Sequence, residues 1–173
     1  MFLLVALLIS IDTRGPIFFK QARVGLRLSV FEVFKFRSMT HEHRKVGNKP
    51  IIGRAEGVTR MGFYLRRFKI DEWPQFWSVL RGEMSLIGPR PGVPEQLKEM
   101  SDRQKERYAV RPGLTGLAQV SGNIHLSWPE RFEWDLLYIQ RMSLLLDLKI
   151  LMRTFLLLFY GEAYFRNKPL LNP

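Results

Sequence analysis

The 173-residue sequence predicts an α+β fold: a mainly helical single domain with a small N-terminal β-hairpin and amphipathic helices at a membrane surface. Three observations carry this prediction. Val30, Glu32, Phe34, Phe36 and Ser38 alternate with Phe31, Val33, Lys35, Arg37 and Met39, and Gly25 separates this period-two run from a second strand-like stretch, IFFKQ. Trp73, Phe76, Trp77 and Leu80 recur at i, i+3, i+4 and i+7, the stripe of a short helix. The run 143–160, SLLLDLKILMRTFLLLFY, is intensely apolar but interrupted by Asp147, Lys149 and Arg153. Those charges disfavour a bilayer span and suit a helix lying at the interface, with an ordinary core helix as the alternative.

The elements follow in order. Met1 to Ile11 is almost unbroken apolar sequence that ends at Asp12. As a helix it is about 16 Å long, roughly half a bilayer's hydrocarbon thickness, so it does not span. It carries neither the basic n-region nor the cleavage site of a signal peptide. A buried core helix, a re-entrant or interfacial helix, and the remnant of a longer element all remain open. Residues 1–12 therefore stand apart from a body of residues 13–173. Arg14-Gly15-Pro16 is turn chemistry. In the second strand Lys35 and Arg37 share a face among apolar neighbours, either as solvated edge charges or as part of a site.

Residues 41–62 are polar and loop-rich, and His41 and His43 there belong either to a mobile loop or to a metal site. MGFYLRRFK predicts a basic helix, and PEQLKEMSDRQKERYA (94–109) a charged helix with a solvated face. Arg111-Pro112-Gly113 and Thr115-Gly116 make a rigid glycine-rich loop. His125 is isolated and reads as structural. WPERFEWDLLYIQRM starts a helix with Pro129 in its first turn and carries Glu133 and Asp135.

Composition narrows the partners. Lys and Arg number 27 against 16 Asp and Glu, a formal charge of +11. Such a surplus favours a polyanion, and 46% hydrophobic and 13% aromatic residues turn the reading towards a membrane surface. The aromatics lie in apolar stripes and not along a basic groove, which argues against nucleic acid. Without cysteine, disulfides, thiolate metal sites and cysteine nucleophiles are excluded. The sequence contains no GxxxxGK[ST], GxGxxG, HExxH, GxSxG or Asp-x-Asp motif, so phosphate chemistry needs other residues.

Those residues are concentrated in IDEWPQFWSVLRGEMSLIGPRP, 70–91. Asp71 and Glu72 begin a short helix, as an N-cap on a core helix or as a working carboxylate pair. Pro74 is tolerated in a first turn, Gly82 stops the helix, and Arg90 follows in a Pro-rich loop. Lys35, Arg37, Arg66, Arg67, Arg90 and Arg111 bracket the pair. Rigid PRP and RPG loops suit guanidinium groups that grip phosphate bidentately. A carboxylate nucleophile must stay ionised, and a metal lets it approach a diphosphate that would otherwise repel it.

FKFRSM, the 70–91 run, VRPGLTGLAQVSG and FEWDLLYI…SLLLDLKI together resemble the bacterial sugar transferases, the monotopic phosphoglycosyl transferases that act on polyprenyl phosphate. The resemblance runs from about Gly15 to about Gly161. It implies transfer of a sugar-1-phosphate from a UDP-sugar to polyprenyl (undecaprenyl) phosphate, through a covalent phosphosugar–aspartate. This is the first membrane step of bacterial glycoconjugate assembly, as in exopolysaccharide, lipopolysaccharide or glycoprotein synthesis. It implies Asp71 as nucleophile with Glu72 as catalytic partner, and Mg2+ held by Asp71, Glu72 and Asp135. Lys35, Arg66, Arg90 and Arg111 would bind phosphate or nucleotide. The implied location is the cytoplasmic face of the inner membrane, with a homodimer as one assembly.

Two departures accompany the resemblance. Met1 falls where the second half of the family's re-entrant helix would begin, and the Asn-Gly-Arg-Asn loop reads Ser121-Gly122-Asn123-Ile124. They raise a competing expectation, a catalytically impaired scaffold at the membrane surface.

Overall fold

The computed structural model describes residues 1–40, 56–161 and 170–171. The readings of His41 and His43 lie outside the described residues. The fold is mainly helical α+β, as predicted. In chain order it comprises α1 (Phe2–Asp12), β1 (Phe18–Val24), β2 (Val30–Phe36), α2 (Arg60–Arg67), α3 (Phe76–Leu80), β3 (Ser85–Ile87), α4 (Asp102–Lys105), β4 (Gly113–Thr115), α5 (Leu117–Val120), α6 (Trp128–Gln140) and α7 (Leu144–Tyr160), with 3-10 turns between them. β1 and β2 form one two-stranded sheet, β3 and β4 another. The chain divides into two compact units, Met1–Gln21 with Val33–Phe76, and Ala22–Glu32 with Trp77–Pro173.

The first unit is built on Val5, Ile9, Phe36 and Leu65, with Ile17, Met61 and Ile70 packed against them. Phe2 and Phe18 place their rings 5.3 and 5.4 Å from that of Phe36. Arg37 is only 3% exposed, so the edge-charge reading fails. Its guanidinium donates to the carbonyls of Ile9, Thr13 and Arg14 at 3.3, 2.5 and 2.9 Å, where a cation opposes the dipole at the end of α1. Asp12 accepts from the Met61 amide at 3.0 Å and ties α1 to α2. Gly62 in α2 lies directly on the Ser38 carbonyl, where a Cβ has no room. The outer side of α1, with Leu3, Leu4, Leu7 and Ile11, is exposed.

The second unit has a core of Leu117, Ala118, Val120, Trp134, Tyr138, Leu146 and Ile150, and a smaller cluster of Val24, Met100, Tyr108 and Phe132. β3 and β4 pair in parallel, Ser85 opposite Gly113 and Ile87 opposite Thr115. A parallel pair needs a long crossover, and residues 88–112 supply it. Gly113 and Gly116 both press on the backbone around Gly88, so neither site accepts a side chain.

The predicted single helix over 94–109 is instead a 3-10 turn (Pro94–Lys98), α4 and a second 3-10 turn (Glu106–Ala109). Ser101 interrupts it by capping a new start: its hydroxyl accepts from the Gln104 amide while the Gln104 side chain accepts from the Ser101 amide. Nor is its face solvated throughout, since Arg107 and Tyr108 are buried.

α7 also departs from an ordinary core helix. It buries Leu146, Ile150 and Arg153, and its half-buried Asp147 accepts from the Tyr138 hydroxyl at 2.9 Å. Leu144, Leu145, Leu148, Met152, Phe155 and Phe159 face outward. Nor does the core-helix alternative hold for the 73–80 stripe: Phe76, Trp77 and Leu80 are 48%, 59% and 79% exposed, whereas Ser78 in α3 and the preceding Gln75 are buried. No helix among the described residues is long and apolar enough to cross a membrane.

Candidate active site

Local structure places Asp71 and Glu72 in four steps. Thr59 caps α2 by accepting from the Gly62 amide at 2.9 Å. α2 ends at Phe68, and Lys69 takes the left-handed conformation (φ 57°), which turns the chain sharply. A 3-10 segment, Ile70–Gln75, then begins with Lys69 at its cap position, so Asp71 is not the N-cap that the structural alternative required. Pro74 lies within this short segment, and α3 continues it.

The two carboxylates end up in different surroundings. Glu72 accepts an ion-paired hydrogen bond from the Lys35 ammonium at 2.7 Å, and both side chains are mostly shielded. Lys35 is therefore no solvated edge charge. Asp71 is 8% exposed, and its Oδ1 is buried with no hydrogen-bond partner. A buried orphan acceptor is costly and calls for an explanation. Burial, followed by the neighbouring Glu72 charge, pushes the Asp71 carboxyl up from 3.8 to about 6, while Lys35, Lys69 and Arg66 pull it down. Arg66, half-buried in the last turn of α2, acts on this site through its charge.

The orphan Oδ1 also tests the fit to a metal. Asp71 and Glu72 present hard oxygen donors, one of them unengaged, and Mg2+ is characteristically held by one or two carboxylates together with substrate phosphates. The pair fits that role. Among the described residues no group of three or more His, Cys, Asp or Glu forms a metal cage.

The remaining predicted residues lie in the second unit. Arg90 sits in the loop directly after β3, and Arg111, exposed, directly before β4. The loops are joined, because the Gly113 amide donates to the Pro89 carbonyl at 3.0 Å. Arg90 lines a narrow cleft together with Arg107, Gln119, Asn123, Trp128, Arg131 and Asp135. Arg131 lies over the Trp128 ring at 4.6 Å from its centroid.

Asp135, predicted beside the metal, is 1% exposed and engaged with Arg107, whose Nε and Nη2 donate to its Oδ2 at 2.9 and 2.5 Å. Burial raises the Asp135 carboxyl, and the guanidinium opposes that rise. Burial is the largest single effect on Arg107 and works against its cation, but the charges of Asp135 and Tyr108 and their hydrogen bonds together turn the net direction upward. In this structure Asp135 is the counter-ion of Arg107. His125, read as structural, is exposed. Arg107 itself escaped the sequence reading, because nothing in SDRQKERYA separates it from its solvated neighbours.

Residues 1–161 match the family model described as bacterial sugar transferase. The chain is 42% identical over 140 residues to the uncharacterized sugar transferase EpsL of Bacillus subtilis, covering 81% of this chain and 68% of that protein. It is 42% identical over 163 residues to the undecaprenyl-phosphate glucose phosphotransferase of Komagataeibacter xylinus, covering 87% and 31%. It is 43% identical over 164 residues to the UDP-glucose:undecaprenyl-phosphate glucose-1-phosphate transferase of Caulobacter vibrioides, covering 88% and 60%. The chain thus spans between about a third and two thirds of the length of these relatives. With the match running through both units and across the Asp71-Glu72 pair and the two arginine loops, the chain belongs to the bacterial sugar transferase family.

Proposed function

We propose that the protein transfers a sugar-1-phosphate from a UDP-sugar to a polyprenyl phosphate, with Asp71 as the nucleophile. The observation that carries this reading is the buried, unpartnered Oδ1 of Asp71 beside a Glu72 held by Lys35. The relatives named as glucose-1-phosphate and N-acetylgalactosamine phosphotransferases of undecaprenyl phosphate support the substrate class.

In the first step the Asp71 carboxylate attacks the sugar-linked phosphorus. The bond to the bridging oxygen breaks, UMP leaves with that electron pair, and a phosphosugar–aspartate remains. In the second step a phosphate oxygen of the polyprenyl phosphate attacks the same phosphorus, releasing the carboxylate and forming the polyprenyl diphosphate sugar. A carboxyl titrating near 6 is mostly ionised at neutral pH, and the Lys35, Lys69 and Arg66 charges help keep it so. Lys35 fixes Glu72 against Asp71. Mg2+, when bound to Asp71 and Glu72, supplies the positive charge that lets an anionic nucleophile meet a diphosphate. Arg90 and Arg111 offer rigidly mounted guanidinium groups to phosphate.

A polyprenyl phosphate acceptor and a UDP-sugar donor together support a location at a membrane, on its cytoplasmic face. The outward leucines and aromatics of α7 and α1 support this, since so much exposed apolar surface marks an interaction site. The test uses labelled UDP-glucose and UDP-N-acetylgalactosamine with Mg2+ and no lipid acceptor. A hydroxylamine-labile adduct on the protein and stoichiometric UMP release are expected, both absent in Asp71→Asn. Full UMP release by Asp71→Asn would overturn Asp71 as the nucleophile.

A further inference from the structure

We propose that Arg107 is a positioning residue for Arg90, braced by Asp135, and that its guanidinium sets the backbone from which Arg90 reaches into the cleft. The inference rests on the reading that Arg90 contacts substrate phosphate.

The loop that carries Arg90 is held at four consecutive carbonyls. Pro89 accepts from the Gly113 amide at 3.0 Å and Gly92 from the Val24 amide at 2.9 Å. Pro91 accepts from Arg23 Nη1 at 3.0 Å, and Arg90 itself from Arg107 Nη2 at 2.7 Å. The third of these anchors and the fourth are side chains, and only Arg107 is fully buried. All its nitrogens are engaged: Nε with Asp135, Nη1 with the Tyr108 hydroxyl at 3.2 Å, and Nη2 with both Asp135 and the Arg90 carbonyl. Gly92 closes the space, since a Cβ there would lie 2.5 Å from the Tyr108 hydroxyl and 2.9 Å from Gln96 Oε1.

A buried ion pair is a weak source of stability, because desolvation cancels much of its attraction and apolar residues of the same volume often do as well. What an apolar pair does not provide is a donor for the Arg90 carbonyl. The planar fork of arginine bonds Asp135 and that carbonyl at the same time, which the single ammonium of lysine does poorly. Arg90 and Arg107 line the same cleft, so a rotation of the Arg90 peptide would redirect the Arg90 side chain within it.

The experiment is a double-mutant cycle on the full chain in lipid nanodiscs containing undecaprenyl phosphate. Wild type, R90A, R107K and R90A/R107K are compared by UMP release from UDP-glucose or UDP-N-acetylgalactosamine, and by affinity for UDP. R107K should lose roughly tenfold or more in kcat/KM when Arg90 is present and less than about twofold when it is Ala. The apolar pair R107M/D135L keeps the packing and should still unfold in one cooperative transition while showing the same loss. Equal losses from R107K in both backgrounds, or wild-type turnover by R107M/D135L, would overturn the inference. No turnover with either donor rejects the proposed function, whereas the UDP affinities still decide whether Arg107 works through Arg90.

Discussion

The Asp71-Glu72 pair and the Arg107-Asp135 pair are both acidic sites shielded from water, yet their polar atoms are handled in opposite ways. Asp71 keeps an oxygen without a partner, and its carboxyl is raised to about 6. Around Asp135 the guanidinium nitrogens all have acceptors, and even the neighbouring loop carbonyls are bonded. Leaving a buried acceptor unpaired costs stability, a cost that a water, an ion or a ligand relieves. Satisfying every group rigidifies, and rigidity is what a loop presenting Arg90 requires. The difference separates the groups suited to react from the groups suited to hold.

That contrast is exposed to direct tests. Among variants that keep Asp71, the largest effect is expected from Glu72→Gln, which removes the carboxylate proposed to share a metal with it: UMP release should fall by roughly 10²–10³. Its acid limb should move to lower pH, because the Glu72 charge no longer raises Asp71. A limb that stays in place breaks the assignment of the coupling.

Asp71→Asn tests the stored cost. The folded state holds the Asp71 proton more tightly than the unfolded chain, so stability is fully present below about pH 4 and is lost as pH rises through about 6. Above that range the variant should be more stable than wild type by up to about 3 kcal/mol, and below pH 4 it should show no gain. Denaturant unfolding at pH 3.5 and 7.5 measures both. Lys35→Met should slow turnover about 10- to 100-fold and shift the acid limb upward, opposite to Glu72→Gln, since a charge that lowers the Asp71 carboxyl is gone. A pH–rate series for the two variants side by side decides this. Tyr138→Phe, which removes one satisfied bond to Asp147 and no bond to either pair, should cost only about 1 kcal/mol in thermal or denaturant unfolding and leave the pH profile unmoved.

Much of the architecture was legible because it is local. The hairpin, α1, α2 and α7 were signalled by alternation and apolar runs, and the structure adds the Ser143 cap of α7, whose hydroxyl accepts from the Leu146 amide. The capping box at Ser101 and Gln104 was also readable and would have broken the predicted 94–109 helix. β3 and β4 were not, because three-residue strands carry too little period to recognise, and their pairing depends on glycines 25 residues apart in sequence, Gly88 after β3 and Gly113 at the start of β4. The stripe over 73–80 is periodic in sequence, but its exposed side is decided by packing. Periodicity shows that a helix has two faces, not which one the protein buries.

By itself the sequence determined which residues could do chemistry: a carboxylate pair, arginines mounted in proline–glycine loops, and no thiol or nucleotide-binding loop to compete with them. These are matters of residue type and short spacing, which the chain carries without folding. Tertiary structure decided which charges lose their water. It left Asp71 without a partner for one oxygen, gave Glu72 to Lys35, turned Asp135 into the counter-ion of Arg107, and sent Arg37 to the end of α1. Desolvation depends on what packs around a group from distant parts of the chain, and that is the quantity that separates Asp71, with an oxygen left open, from Asp135, bound to Arg107.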